Sequence, residues 1–462
     1  MLEGLEISEV RLSEVKRDNF EFRIDSDFFK KEILTAIEFV NNKPHHKLKD
    51  LVSDIKSFGA YSLCNEIKFI EKKEQAIPFI RCLNIKNSLV NFDDLLFIDE
   101  KSNNLLWKSE VKPRMVLVTM SGTVGNTTVA LEQWKYPINS NQDIAKIETS
   151  DINPYFLSVF LNSKYGYFQM IRLQAGAIQQ HLYLSQIEKI VIPKITNDFQ
   201  NKIENLVKSA HSKHEQSQSL YYQAEELLLE TLDLKDFKPN EKGTNIKSLK
   251  KSFLATGRLD AEYYQPKYEK IENKIKKFKD GFSYIYKLFK PNNTNIIYSE
   301  KQYNYIEIGD INIEDGNYAF NLINVDELPA NAKIMSKSGD LLVSKVRPNR
   351  GAVSIINEYI PNLAVSGAFT VLEENSNYKK EVLFVLLRTT LYKEWLLKYN
   401  VGTSYPVIKD DDVLNMPIPL IASKIQQQIA KLIKQSFSLR AESERLLDEA
   451  KTMVEREIEG KT

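Results

Sequence analysis

An internal repeat constrains this chain more than any other feature of its sequence. Residues 199–232 align without a gap on residues 425–458, at a constant offset of 226. The match continues backwards, because IVIPKI ending at Ile195 corresponds to MPIPLI ending at Ile421. A chain that repeats its order of elements at a fixed offset is expected to fold as similar structural units. We therefore predict two related halves.

Weaker matches extend the repeat towards the start of each half. RMVLVTMSGTVGNTTVA (residues 114–130) corresponds to GDLLVSKVRPNRGAVSI (residues 339–355), with one residue of slippage. RIDSDFFKKEI (residues 23–33) resembles RLDAEYYQPKY (residues 258–268), where the offset has grown to 235. Because the order is kept while the offset grows, the first half is predicted to carry a short insertion before Pro78.

The repeat divides the chain into two globular domains, each followed by a long helix. The predicted segments are a first domain (1–195), a central helix (196–234), a second domain (235–421) and a C-terminal helix (422–462). Short β-rich runs such as MVLVTM and DLLVSKV alternate with helical stretches, which is typical of a mixed α/β or α+β fold. This is the predicted fold class of each domain.

Both long helices carry apolar residues at three- and four-residue spacing. The narrow apolar stripe is interrupted at two matching polar positions, Ser217 and Ser443. Such a stripe is compatible with packing of each helix on its own domain or with packing of the two helices on each other. Two matching stripes favour the second interpretation. At about 1.5 Å per residue, a helix of this length spans roughly 50 Å and could act as a spacer.

Composition excludes several other classes of protein. The apolar fraction of 42% and the charged fraction of 27% are typical of a soluble globular protein. We find no apolar run long enough for a membrane helix and no secretory signal at the polar N-terminus. With only Cys64 and Cys82, the chain has no disulfide framework, so we expect a cytoplasmic protein. The net charge of +1 does not by itself indicate a nucleic-acid partner.

A search for catalytic motifs gives only structural interpretations. Asn153-Pro154-Tyr155-Phe156 lacks the second proline of an adenine-methyltransferase motif, and Asn followed by Pro is typical of a helix start. The glycines of Ser121–Gly125 lack the lysine of a phosphate-binding loop and indicate a turn between strands. His211 and His214 lie one helical turn apart without further ligands, so we predict a solvated helix face. We predict no catalytic residue and no metal site.

The organisation resembles the DNA-specificity subunit of Type I restriction–modification systems. The resemblance rests on the IPxI-plus-helix segments (192–232 and 418–458) and on the strand-turn-strand pairs VLVTMSGTVGNTTVA and LLVSKVRPNRGAVSI. The N-Q-D segment (141–143) and the V-S-G-A segment (365–368) add to it. It covers nearly the whole chain.

The resemblance implies a non-catalytic subunit that recognises double-stranded DNA with a bipartite target. Each domain would be a target-recognition domain for one half-site. The helices would pack as an antiparallel coiled-coil spacer with pseudo-two-fold symmetry. Two methyltransferase subunits, which methylate adenine with S-adenosylmethionine, would be partners, and two ATP-dependent restriction subunits could join them. The chain itself would hold no cofactor, with S-adenosylmethionine, ATP and Mg expected in the partner subunits.

The predicted DNA contacts are polar and basic side chains on matching loops of the two halves. Asn and Gln can pair with adenine, Arg with guanine or phosphate, and Ser or Thr with several partners. In the first half they are Thr119, Ser121, Thr123, Asn126, Asn141, Gln142, Gln179, Gln180 and His181. In the second half they are Lys345, Arg347, Asn349, Arg350, Ser366, Thr403, Ser404 and Tyr405.

Two other interpretations stay open from the sequence. The chain could be a scaffold whose tandem domains bind protein partners around a helical spacer. It could also be a nuclease or methyltransferase with an active site of unrecognised pattern. The first predicts no sequence-selective DNA binding, and the second predicts cleavage or methyl transfer by the purified chain alone.

Overall fold

The computed structural model describes residues 9–16, 19, 23–57, 61–72, 75–92, 94–175, 180–237, 239, 244–402 and 404–461. The chain divides into two compact units, which we call unit 1 (Met1–His214 with Ala441–Thr462) and unit 2 (Glu215–Arg440). The division passes through the middle of both long helices. The helices predicted as separate segments, 196–234 and 422–462, therefore each contribute to both units.

Unit 1 combines short strands with helices. Its strands are β1 (His45–Lys47), β2 (Val52–Lys56), β3 (Phe69–Ile70), β4 (Ile77–Ile80), β5 (Ile85–Lys86), β6 (Leu89–Val90), β7 (Leu96–Ile98), β8 (Glu110–Val111), β9 (Val116–Thr119), β10 (Thr127–Val129), β11 (Ile138–Ser140), β12 (Ile144–Thr149) and β13 (Val191–Pro193). Its helices are α1 (Leu12–Lys16), α2 (Lys31–Asn41), α3 (Glu100–Leu105), α4 (Pro154–Asn162), α5 (Lys164–Leu173) and α6 (Leu184–Ile187). The long helix α7 (Asn197–Thr231) follows.

Unit 2 repeats this arrangement. Its strands are β14 (Phe282–Tyr284), β15 (Phe289–Pro291), β16 (Gln302–Ile306), β17 (Asn321–Asn324), β18 (Ala332–Met335), β19 (Leu341–Ser344), β20 (Val353–Ile355), β21 (Leu363–Ser366), β22 (Phe369–Glu374) and β23 (Pro417–Pro419). Its helices are α8 (Phe253–Thr256), α9 (Pro266–Lys276), α10 (Ile285–Leu288), α11 (Lys380–Arg388), α12 (Thr390–Leu396) and α13 (Asp410–Leu414). The second long helix is α14 (Ser423–Glu459).

The duplication is confirmed strand by strand. One sheet of unit 1 has the order β10-β9-β12-β2, and its counterpart in unit 2 has the order β20-β19-β22-β15. The other sheet of unit 1, β3-β7-β4-β11-β8, corresponds to β17-β16-β21-β18. In both, the central pair is parallel, β11 with β4 and β21 with β16. The additional edge strand β3 lies before Pro78, where the insertion was predicted.

The alternation of side chains along β9 explains why this strand is buried on both faces. Val116 and Val118 belong to the core cluster that also contains the helices α4 and α5, whereas Leu117 belongs to a second cluster with Ile80 and Ile138. Successive residues of a strand point to opposite faces, so one run of four apolar or small residues serves two layers. In unit 2, Leu342 separates from its neighbours on β19 in the same way.

The two long helices pack antiparallel, as predicted. In unit 1, Ile203 of α7 shares a core with Ala450 of α14, and so does Val207. In unit 2, Ala224 of α7 shares a core with Ile429 of α14. The first part of α7 thus meets the last part of α14, and the reverse holds at the other end. Among the described residues, we find no helix with the length and apolar character needed to span a bilayer.

Candidate nucleic-acid interface

Two loops of unit 2 that are far apart in sequence meet in the structure. The first loop (residues 345–351) follows β19, and the second loop (residues 401–407) precedes α13. The amide of Arg347 donates to the carbonyl oxygen of Pro406 at 2.7 Å, and the amide of Ile408 donates to that of Lys345 at 2.9 Å. The Arg347 guanidinium lies 5.5 Å from the ring centroid of Tyr405. Two predicted contact residues therefore form one exposed surface.

Unit 1 pairs the corresponding loops in the same way. Its first loop (residues 120–126) and second loop (residues 175–181) are joined by the amide of Leu182, which donates to the carbonyl oxygen of Met120 at 2.8 Å. A β-bridge links Ser121 with His181, as one links Val346 with Val407 in unit 2. The two units therefore join their loops by equivalent backbone contacts, but the side chains on these loops differ.

The backbone of the first loop turns through the left-handed region at the same place in both units. Gly122 has φ of 70°, and Arg347 has φ of 49°. Glycine adopts this conformation without steric cost, whereas another residue pays about 1–2 kcal/mol. Strained residues of this kind cluster at functional sites. The structure accepts this cost at Arg347, whose exposed side chain lies beside Tyr405.

Lys345 is less available than its neighbours on the first loop of unit 2. Its ammonium group forms an ion pair with Asp410 at 2.9 Å, and its side chain is only 15% exposed. The same carboxylate accepts a hydrogen bond from the Thr370 hydroxyl at 2.7 Å. Asn349 and Arg350, by contrast, are exposed. The charge that this loop offers to solvent therefore comes from its arginines.

Three predicted contact residues are buried, which argues against direct base contacts by them. The Thr119 hydroxyl donates to the carbonyl oxygen of Thr123 and accepts from the Asn126 amide at 3.0 Å. Ser366 accepts a hydrogen bond from the Asn331 side chain at 2.7 Å, and Ser121 is 8% exposed. These groups stabilise their turns. The sequence could not show this, because Ser and Thr occur both inside turns and on their surfaces.

The remaining predicted residues have varied surroundings. Asn126 is half-buried, and its amide donates to the carbonyl oxygen of Ile85 at 3.3 Å. Asn141, Gln142 and His181 are also half-buried, and Thr123, Gln180 and Ser404 are exposed. Gln179 and Thr403 lie outside the described residues. The structure thus leaves exposed or half-buried polar groups on both loops of each unit.

The sequence did not predict the side chains that hydrogen-bond to the backbone at or next to the end of each first loop. Arg388 is buried and donates to the carbonyl oxygens of Gly351 at 3.0 Å and Glu314 at 2.6 Å. Asn162, at the same place in unit 1, brackets Thr127 by donating to its carbonyl oxygen at 2.7 Å and accepting from its amide at 3.1 Å. The available signal was a single arginine inside the apolar run VLFVLLRTT. Arg388 is buried and Asn162 is half-buried, and both side chains bind backbone groups at the end of the first loop or directly after it.

A buried lysine lies beneath the Asn141–Asp143 segment of unit 1. Lys146 on β12 donates to the Ser140 hydroxyl at 2.9 Å, and burial lowers its pKa to about 7. Burial, together with the charge of Asp143, raises the pKa of the nearby Cys82 thiol to about 11. In unit 2, Val371 takes the equivalent place, judged from its pairing with Leu342 on β19. A neutral thiol and a tightly enclosed amine make this a structural feature of the core.

The candidate catalytic and metal-binding motifs of the sequence have structural surroundings, but the prediction for His211 was wrong. The Asn153 side chain accepts hydrogen bonds from the amides of Tyr155 and Phe156, so it caps α4 as predicted. His211 does not lie on a solvated helix face, because α7 buries it to 4% exposure. We find no group of three or more His, Cys, Asp or Glu residues suited to a metal ion in the described part of the chain.

Comparison with known proteins finds a family model that matches part of the chain. Residues 272–451 match the family model of the Type I restriction modification DNA specificity domain. This part of the chain is similar to a Type I DNA specificity domain. The resemblance predicted from the sequence is thereby confirmed. The matched region runs from α9 through most of α14, so it includes both loops of unit 2.

A curated relative supports the same family. The chain is 35% identical over 114 residues to the Type I restriction enzyme HindI specificity subunit of Haemophilus influenzae. The match covers 24% of this chain and spans about a quarter, 25%, of that relative. The similarity to this relative is therefore limited to part of each chain.

Two solved structures are similar at lower identity. One is the S subunit of a Type I restriction–modification system from M. genitalium, with a TM-score of 0.44 and 13% identity, over 90% of this chain and 96% of that one. The other is the HsdS subunit from Thermoanaerobacter tengcongensis, with a TM-score of 0.28 and 11% identity, over 90% and 97%.

Proposed function

We propose that this chain is the DNA-specificity subunit of a Type I restriction–modification complex and that each unit recognises one half of a split target. The observation that carries the proposal is the repeated pair of loops in a chain with a DNA specificity domain. Each unit joins its two loops by the same backbone contacts but presents different side chains. Two similar recognition surfaces on one chain suit a target with two half-sites.

The two half-sites would differ in sequence. The first loop of unit 2 offers Arg347 and Arg350, and arginine can bind the O6 and N7 acceptors of guanine or hold a phosphate. The first loop of unit 1 is uncharged between residues 120 and 126. Its polar groups Thr123 and Asn126, with Gln180 from the second loop, are suited to hydrogen bonds with base edges. Loops with equivalent backbone contacts but different side chains would recognise different bases.

Catalysis would belong to partner subunits. We infer a complex with two methyltransferase subunits that transfer a methyl group from S-adenosylmethionine to the N6 atom of adenine. Restriction subunits that use ATP and Mg could join it. This chain would hold no cofactor and act without catalytic residues of its own. A net charge of +1 fits a chain that shares its grip on DNA with partners. Access to the chromosome would require a cytoplasmic location.

The test is a map of methylated adenine in cells that express this chain with the methyltransferase subunit of its own system. We expect methylation at one split, asymmetric motif. Replacing residues 235–419 by those of a homologue keeps α7 and α14, and it should change only one half of that motif. A change in both halves, or in neither, would contradict the assignment of one unit to one half-site.

The same experiment separates the two competing functions. A scaffold protein would give no sequence-selective methylation in the presence of the methyltransferase subunit. An enzyme with an unrecognised active site would cleave or methylate DNA as the purified chain alone, without the partner. Either outcome would contradict the proposed function.

A further inference from the structure

A matched arginine–carboxylate pair lies in each unit, away from the predicted DNA contacts. In unit 2, the Nε and Nη2 atoms of Arg258 bind the two carboxylate oxygens of Asp260 at 2.7 Å and 3.0 Å. In unit 1, Arg23 binds Asp25 in the same two-point manner at 2.8 Å and 2.8 Å. The sequence repeat relates these pairs through the segments RLD and RID.

An aromatic ring completes each pair. The guanidinium carbon of Arg258 lies 4.8 Å from the ring centroid of Tyr263, and that of Arg23 lies 4.9 Å from the ring centroid of Phe28. A planar guanidinium that is held by a carboxylate and a ring has little freedom to rotate. Its remaining N–H groups therefore point in a fixed direction.

These remaining donors reach the entrance of the second loop. Nη2 of Arg258 donates to the carbonyl oxygen of Asn400 at 2.8 Å. Nη1 of Arg23 donates to the carbonyl oxygens of Gln174 at 2.5 Å and Arg172 at 3.0 Å. Gln174 and Asn400 are related by the offset of 226 and directly precede the second loops. The contact between the arginine and this carbonyl oxygen therefore occurs at equivalent positions in both units and is a feature of the repeat.

Each carbonyl group that accepts a hydrogen bond from the arginine lies next to the two ends of the second loop, which are hydrogen-bonded to each other. In unit 2, the Val401 amide donates to the carbonyl oxygen of Val407 at 2.9 Å, and the Val407 amide donates to Oδ1 of Asn400 at 3.0 Å. In unit 1, Ala175 and His181 exchange two backbone hydrogen bonds of 2.8 Å. The arginine thus fixes the residue that precedes the hydrogen-bonded ends of the second loop.

We propose that Arg258 and Arg23 are positioning residues for DNA recognition, each of which holds the described ends of the second loop of its own unit in place for contact with bases. This inference rests on the proposed function. It differs from a general role in stability because each arginine contacts the residue that precedes the second loop of one unit. Loss of one arginine should therefore affect one half-site, whereas a folding defect would weaken the whole subunit.

The experiment uses the full chain, co-expressed with the methyltransferase subunit of its own system, as wild type, Arg258→Gln and Arg23→Gln. Arg445→Gln is the matched control, since Arg445 also binds carboxylates, Glu442 and Glu449, but on the exposed side of α14. Arg258→Lys keeps the charge without the planar two-point geometry and provides a second variant should Arg258→Gln fold poorly.

The first measurement is amide hydrogen exchange. Hydrogen bonds from charged donors contribute enough that the Val401 and Val407 amides should exchange about tenfold faster or more in Arg258→Gln. The Ala175 and His181 amides should respond in Arg23→Gln alone. Arg258→Lys should show the same change in unit 2 at smaller size, and Arg445→Gln none. Unchanged exchange, or equal changes in both units, would overturn the proposal.

The second measurement is the methylation map. Arg258→Gln should relax the half-site read by unit 2, with methylation at altered sequences rising about tenfold relative to the wild-type motif, and should leave the other half-site unchanged. Faster loop exchange without any relaxed half-site would show that the arginine stabilises the loop but does not serve recognition. Absence of a split motif with wild-type protein would instead refute the proposed function, and this inference with it.

Discussion

Ser217 of α7 and Ser436 of α14 each donate a hydroxyl hydrogen bond of 2.8 Å to the backbone carbonyl oxygen of the other residue. Both side chains are buried. In unit 1, Ser443 of α14 donates in the same way to the carbonyl oxygen of Ala210 at 2.7 Å. Small hydroxyl side chains let two helix backbones approach closely while every polar group keeps a partner. The polar interruptions of the predicted apolar stripe thus form hydrogen bonds between the two helices.

Replacing Ser217 and Ser436 should destabilise the packing of α7 on α14 slightly, and the effects of the two substitutions should not be additive. We expect Ser217→Ala and Ser436→Ala each to lower the free energy of unfolding by about 1 kcal/mol, because each loses a buried hydrogen bond. The double variant should lose less than the sum, since the two hydroxyl groups also contact each other at 3.0 Å. Urea unfolding measures both effects. The exposed Ser219→Ala should change stability by less than about 0.5 kcal/mol, and a loss equal to that of Ser217→Ala would contradict the prediction.

The two cations of the first loop of unit 2 should contribute unequally to recognition. Arg347→Ala removes an exposed guanidinium beside Tyr405, and we expect about a 10- to 100-fold loss of discrimination at one half-site. Lys345→Met removes a charge already paired with Asp410 at 2.9 Å, so its effect should be smaller. Methylation rates on DNA duplexes with single-base changes measure the difference. Equal effects of the two variants would argue against Arg347 as a direct contact.

Lys146→Met should stabilise the protein at neutral and lower pH. Burial lowers the pKa of Lys146 from 10.5 to about 7. Between these pH values the unfolded chain binds the additional proton, so this lysine makes stability rise with pH from about 7 towards 10.5. At pH 6 the folded protein carries a buried charge, and we expect a gain of about 1–4 kcal/mol from the apolar substitution.

Thermal unfolding of wild type and Lys146→Met at pH 6 and pH 9.5 measures this effect. The difference in Tm should be largest at pH 6 and should shrink at pH 9.5. Lys49→Met, which changes an exposed lysine of the same unit, should leave both values close to wild type. A Tm difference that is the same at both pH values would show that the gain comes from packing and not from the charge.

His211 should make the protein sensitive to mild acid. Burial and the nearby His214 lower the pKa of His211 from 6.5 to about 4. Between these values the unfolded chain binds the proton and the folded chain does not. For this group the free energy of unfolding should therefore decrease by roughly 1.4 kcal/mol for each unit by which the pH is lowered. His211→Leu should reduce that slope between pH 6.5 and pH 4.5, as measured by urea midpoints. The exposed His45→Gln serves as the control and should keep the wild-type slope.

The sequence was sufficient to predict features that depend on local pattern. The repeat gave the duplicated strand order, the growing offset located the insertion that forms β3, and Asn153-Pro154 marked the start of α4. These features follow from hydrophobic period, capping chemistry and turn residues, all of which act over a few positions. The matching apolar stripes favoured packing of the two helices on each other, and the resemblance to the family implied that they run antiparallel.

The sequence could not predict which loop residues are exposed. Thr119 and Ser366 look like surface groups in sequence, but their hydroxyl groups are bonded inside the turns. Lys345 looks like a free cation until Asp410, 65 residues away, is brought beside it. Arg388 looks like an interruption of an apolar helix, although it fixes the first loop of unit 2. Each of these outcomes depends on contacts between distant segments.

By itself, then, the sequence determined the duplicated α/β architecture, its helical connections and the loops that vary between the halves. Tertiary structure alone decided that the first and second loops of each unit meet and that Arg347 and Tyr405 share one surface. It also decided that Arg23 and Arg258 contact the residues that precede the second loops. The physical reason is range: periodicity and capping are encoded by neighbours along the chain, whereas burial and the pairing of charges depend on segments that only folding brings together.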